Sequence, residues 1–174
     1  MNTGHLVKTL IAASDVVTGE IIAECRQTRT EEDFLDFIKQ IERENAHAQK
    51  IHLVADNLNI HMSESLVKHV AEISDFTGVL GKKGKEGILK SKDSRQTFLT
   101  NPDHKVVFHY TPKHASWMNQ IEIWFGILNS KVIRRGDFPS ITDLKKKIMN
   151  FIQYYNMCMA KPFKWTYTGK VLTA

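Results

Sequence analysis

The short apolar run IHLVA, Ile51 to Ala55, constrains this chain more than any other stretch. It is too short for a helix, so it reads as a strand buried on both faces. It ends at Asp56 and lies between two segments with helical periodicity. Upstream, Phe34, Phe37, Ile38 and Ile41 fall at i, i+3, i+4 and i+7. There Thr30 is placed to cap, and Glu31, Glu32 and Asp33 fill the first turn, where the helix dipole favours acids. Downstream, Ser63 is placed to cap a helix with Leu66, Val67, Val70 and Ile73 on one face. A buried strand between two amphipathic helices predicts a sheet with helices on its faces.

The flanking segments extend that pattern. HLVKTLIAAS and EIIAEC, with Gly19 between them, predict a β-hairpin. KVVFH, Lys105 to His109, predicts another strand. A third helix is expected from about Trp117 to Arg134, and a fourth from Ser140 with Leu144, Ile148, Ile152 and Tyr155 on its apolar side. Residues 74–104 break the rhythm: Gly78, Gly81, Gly84 and Gly87 stand among lysines, which predicts a mobile loop, with a short helix around Ser94 to Leu99. The order is strand, strand, helix, strand, helix, strand, helix, helix. It implies one α/β domain over residues 1–174 with a mixed sheet.

Composition sets the bounds. The 174 residues are 42% hydrophobic, enough for a sizeable core. No stretch reaches the length of a transmembrane helix, and no signal-peptide h-region opens the chain. The two cysteines, Cys25 and Cys158, form no CxxC, so they are expected reduced and mostly buried, in the cytoplasm. A net charge of +5 leans toward an anionic partner, nucleic acid being the commonest. Lys82, Lys83, Lys85, Lys90 and Lys92 suit either a solvated loop or a DNA backbone. Arg134, Arg135, Lys161, Lys164 and Lys170 extend that candidate surface. GKKGKEG is not a P-loop, because its glycine spacing is wrong and no Ser or Thr follows Lys85.

Two carboxylates stand out. Asp56 sits just past the end of the buried strand, where open α/β sheets bind ligands. DNLNIH then adds Asn57, Asn59 and His61. Glu122 lies beside the stripe of Ile121, Phe125, Leu128 and Val132, after a loop carrying Lys113, His114, Ser116, Trp117 and Asn119. Each also has a plainer reading, Asp56 as a turn residue and Glu122 as a boundary glutamate. Trp117 suits a core anchor better than a base-stacking platform. His61 and His114 lack zinc-site spacing and suit hydrogen bonds to loop backbone or DNA phosphate. Asn119 is placed to orient Glu122 or a phosphate. A strand-end acid and a helix acid together suit Mg²⁺ or Mn²⁺, which take oxygen ligands.

LVADNLNIH, with HYTPKHASWMNQIEIWF, closely resembles the DDE transposases of the mariner-related bacterial insertion sequences. The resemblance continues through RRGDFPSITDLKKKIMNFIQYYN and LIAASDVVTGEII, nearly the whole chain. It implies a ribonuclease-H-like fold and metal-dependent DNA cleavage and strand transfer at transposon ends. It also implies a two-metal site of Mg²⁺ or Mn²⁺, double-stranded DNA as partner, and a prokaryotic, nucleoid-associated protein. Asp56 matches the second acid of the family's triad and Glu122 the third. A homodimer is compatible with it.

Two departures accompany the resemblance. Sixty-five residues separate Asp56 from Glu122, more than is usual in the family. The excess falls in 74–104, expected as a Gly/Lys-rich insertion. The fold's first core strand, central in the sheet and bearing the first catalytic Asp, has no counterpart. Asp15 is the nearest acid and sits at the hairpin turn. The expectation is therefore a domain truncated at its N-terminus, a decayed copy that retains only DNA affinity, or a chain completed by an upstream polypeptide. A cellular ribonuclease-H-like nuclease ranks below these.

Overall fold

The computed structural model describes residues 9–112 and 119–164. The first element is the expected hairpin: β1 (Thr9–Ser14) pairs antiparallel with β2 (Ile21–Arg26), Thr9 opposite Arg26 and Ser14 opposite Ile21. Gly19 closes the turn at φ 80°, and a Cβ there would collide with the backbone of Lys161. Helix α1 (Glu31–Glu44) follows, opened by a reciprocal Thr30–Asp33 capping box. Its four predicted apolar residues, Phe34, Phe37, Ile38 and Ile41, are all buried.

β3 (Ile51–Ala55) pairs in parallel with β4 (Val106–Tyr110), Ile51 opposite Val106 and Ala55 opposite Tyr110. Between them lie a 3-10 turn (Asn59–Met62), α2 (Glu64–Ile73) and α3 (Lys92–Leu99). Ser63 caps α2 as expected, its hydroxyl accepting from the Leu66 amide. Helix α4 (Gln120–Leu128) passes into a π-helical turn (Asn129–Ile133), and α5 (Ile141–Cys158) ends the described chain's regular structure with Ser140 as its cap. The expected start of the third helix at Trp117 lies outside the described residues.

Two apolar clusters organise these elements. In the first, Ile11, Ala13 and Ile22 of the hairpin and Ile51, Leu53, Ala55, Val106 and Phe108 of the parallel pair back onto α1 and α2. In the second, the other face of the hairpin, Leu10, Ala12, Ala23 and Cys25, meets Trp124 and Leu128 of α4 and Ile148 and Ile152 of α5. The hairpin is thus covered on both faces. Asn156 of α5 seals the outer edge of β2, accepting from the Ile21 amide and donating to its carbonyl, both at 2.9 Å.

The architecture is α/β with small sheets flanked by helices, in keeping with a ribonuclease-H-like domain. It differs from a single mixed sheet in one respect: the antiparallel and parallel pairs form separate two-stranded ladders. The Asp15 amide bonds the Glu20 carbonyl, which sets the ladder's alternation. The backbone groups of Leu10, Ala12 and Ser14 therefore point away from β2. By the same logic, with the Ile51 amide on the Lys105 carbonyl, those of His52 and Val54 point away from β4. Neither edge has a backbone partner among the described residues.

Three expectations need correction. β3 is buried on one face only: His52 is exposed and Val54 is 59% exposed, because no helix covers that side of the parallel pair among the described residues. Residues 74–104 also feed the core, which the loop reading does not anticipate, while 82–87 are exposed and the expected short helix forms as α3. Lys82 and Glu86 form a bridge, and Leu89, Phe98 and Leu99 enter the first cluster. Cys158 is exposed at the end of α5, while Cys25 is half-buried, its thiol pushed up chiefly by burial; both are free.

His104 is buried against the Phe98 ring at 4.3 Å, with its Nδ1 lacking a partner. Burial lowers its pKa below the ordinary 6.5, against a weaker upward pull from Asp103. The folded state thus excludes the proton that the unfolded state accepts. His61 is shifted the same way, chiefly by burial. The contribution of these two histidines to stability should be constant above about pH 7 and decline as pH falls below about 6.5, by at most about 1.4 kcal/mol per pH unit for each. Urea unfolding of His104→Gln between pH 7.5 and 5 should show a shallower decline than the parent; an unchanged slope would remove His104 as a source.

Candidate metal and nucleic-acid site

Asp56 stands where β3 ends, 31% exposed at its side chain. Its Oδ1 accepts from the Leu58 amide at 3.2 Å and from His61 Nδ1 at 2.7 Å. The other carboxylate oxygen has no partner among the described residues. His61 is itself held: its ring packs on Phe34 at 4.3 Å, its Nδ1 also lies 3.2 Å from the Asp56 carbonyl, and its own carbonyl accepts from Tyr110 Oη at 2.7 Å. Burial keeps His61 below its ordinary pKa although Asp56 pulls the other way, so a neutral ring donating from Nδ1 fits the geometry. Asn57, the next predicted residue, donates its side-chain amide to the Thr111 carbonyl at the end of β4.

Glu122 lies in the first turn of α4, where the helix dipole favours a carboxylate. It is exposed, and its amide bonds the Asn119 carbonyl at 3.0 Å. Asn119 is the N-cap, its side chain accepting from the Ile121 amide at 3.4 Å. Ile121, Trp124, Phe125, Leu128 and Val132 join the second cluster, so Glu122 projects beside that stripe as expected. Lys113, His114, Ser116 and Trp117 lie outside the described residues.

No hydrogen bond joins Asp56 to Glu122, and no three His, Cys, Asp or Glu side chains converge among the described residues. The donor chemistry nonetheless suits a hard cation: a strand-end carboxylate with one oxygen fixed and one unengaged, and an exposed helix carboxylate. Neither of two other candidates replaces it. His52 and His109 approach at 2.9 Å with ring centroids 5.2 Å apart. That separation is close to the nitrogen distance plus two ring radii, so the nitrogens point at each other and leave no room for a metal. A pocket between β2, α1 and α5, lined by Glu20, Gln40, Glu44 and Asn156 among others, includes neither acid.

A sequence profile described as DDE superfamily endonuclease matches residues 5–145. The chain belongs to that family. No curated protein and no solved structure matches it. As a DDE domain it falls in a family of transposase-like nucleases that generally depend on divalent metal and act on DNA. Among the described residues no helix is long and apolar enough to cross a membrane.

Sequence reasoning missed the groups that hold the Asp56 loop. Tyr110, Thr111, Lys92 and Arg95 all reach it from elsewhere in the chain. Lys92, a candidate for DNA contact, spends its ammonium on the Asn57 carbonyl at 2.6 Å. No local pattern announces such contacts.

Asp15 is engaged in the hairpin turn, its Oδ1 accepting from the Val17 amide at 2.7 Å and the Thr18 amide at 3.4 Å. That is an Asx turn, which suffices to explain the residue. Asp15→Ala should lower stability by about 1 kcal/mol in urea unfolding, and Asp15→Asn by less. Neither should change Mn²⁺ binding by calorimetry; loss of binding in Asp15→Asn would make it the third acid.

Proposed function

We propose that this DDE domain is the catalytic part of a transposase of the mariner-related bacterial insertion-sequence type. It would cleave and join double-stranded DNA at transposon ends. The observation that carries the reading is the Asp56 carboxylate: it ends a strand of a DDE domain, with one oxygen fixed by His61 and the Leu58 amide and the other without a partner among the described residues.

Asp56 and Glu122 would hold Mg²⁺ or Mn²⁺. Bound in pairs, such ions activate an attacking oxygen and stabilise the leaving one in phosphodiester chemistry. The work of the chain itself is positional. Asp56 offers its unengaged oxygen from a rigid strand end, and Glu122 is presented by α4 behind its Asn119 cap. Asn57 fixes the loop to β4, and His61 holds the Asp56 rotamer. Water is the nucleophile for hydrolysis and a DNA 3′-hydroxyl for strand transfer. Lys113, His114, Ser116 and Trp117 fit contacts to DNA on the approach to Glu122. The third carboxylate would come on an extended segment, such as one from an upstream polypeptide, paired with the edges of β1 and β3 that have no backbone partner among the described residues. A homodimer on paired DNA ends fits the same reading.

One observation favours a second reading, that of a remnant with DNA affinity and no activity: no three His, Cys, Asp or Glu side chains converge among the described residues. Nicking of supercoiled plasmid across a Mg²⁺ or Mn²⁺ titration separates the two. Metal-dependent nicking that falls to background in Glu122→Gln and Asp56→Asn is the expected result for the enzyme. DNA binding without nicking at any metal concentration would leave the remnant.

A further inference from the structure

Three carbonyls of the loop from Asp56 to Ser63 stand apart, those of Asn57, His61 and Met62. Each is taken by a side chain from outside the loop. Tyr110 Oη serves His61 at 2.7 Å. The other two are served by cations of a single helix, α3: Lys92 Nζ at 2.6 Å on Asn57, and Arg95 Nε at 2.6 Å on Met62. Arg95 also donates to the Leu89 carbonyl at 3.1 Å.

We infer that Lys92 and Arg95 are positioning residues for Asp56, and that α3 is the buttress of the acid-bearing loop. The inference rests on the proposed role of Asp56 as a metal ligand. Lys92 and Arg95 stand at i and i+3, so one helix face presents both charges to one loop. Both bonds are charge-assisted and half-buried, which makes them stronger than neutral ones. They bracket the residues that matter: Asn57 adjoins Asp56, and Met62 adjoins His61, the donor to Asp56 Oδ1. The helix is itself anchored, with Phe98 and Leu99 in the first cluster and Ser91 in a reciprocal cap with Ser94. The segment that supplies this buttress is the one that lengthens the spacing between Asp56 and Glu122.

The test uses Lys92→Met and Arg95→Met, which keep apolar stems and lose the donors, with Lys90→Met as a nearby control on an exposed lysine. Amide exchange followed by NMR in metal-free protein should quicken about tenfold or more at Leu58 and His61, whose amides close the loop on Asp56 Oδ1 and the Leu58 carbonyl. Exchange at Val67 and Val70 of α2 should stay as it is, and Lys90→Met should do nothing. Mn²⁺ affinity should weaken in both variants and recover in Lys92→Arg. Unchanged exchange at Leu58 and His61 would overturn the inference, as would a uniform quickening through α2, which marks general destabilisation. If the parent binds no Mn²⁺ at Asp56, the metal reading fails separately while the exchange result still decides whether α3 holds the loop.

Discussion

A strand that stops inside a protein must hand its backbone polar groups to something else, because buried amides and carbonyls are costly to leave unpaired. β3 stops at Asp56, and how that obligation is met shapes the surrounding structure. The Leu58 amide turns back onto the Asp56 carboxylate, and the His61 ring completes the cap. The carbonyls of Asn57, His61 and Met62 are met by Lys92, Tyr110 and Arg95. One carboxylate oxygen is thereby fixed, and the other has no partner among the described residues. The same bonds that end the strand would hold Asp56, the proposed metal ligand, in one orientation.

The second constraint is the division of the sheet. Both ladders share one apolar cluster under α1, yet the outer edges of β1 and β3 have no backbone partner among the described residues. Free edges are hazards unless they are covered, as Asn156 covers β2 at Ile21. The uncovered edges lie on the two strands that a ribonuclease-H-like core would separate by its central strand. β3 also has an open face: His52 and Val54 are exposed because no helix covers that side among the described residues.

Much of this was legible because it depends on local chemistry. Thr30, Ser63 and Ser140 announce three helices by capping, and the stripe of Phe34, Phe37, Ile38 and Ile41 carries its period on its face. The position of Asp56 at a strand end was equally plain. What was not legible depends on contacts distant in sequence. Glycines and lysines in 74–104 hide Leu80, Ile88, Leu89 and Phe98, whose burial arises only once α2 and β4 are beside them. The exposure of His52 and Val54 reflects what does not cover β3, which no window of sequence records. The link from Lys92 to Asn57 spans 35 positions and joins an exposed-looking lysine to a main-chain oxygen.

The central claim is that Asp56 and Glu122 serve one divalent-metal site. Paramagnetic broadening by substoichiometric Mn²⁺ tests it most directly, read residue by residue in the amide NMR spectrum. The account predicts selective broadening around Asp56 and Asn57 and around Glu122 together, both relieved by Asp56→Asn. Broadening confined to one of the two, or spread over the surface carboxylates of α1 without preference, would contradict it.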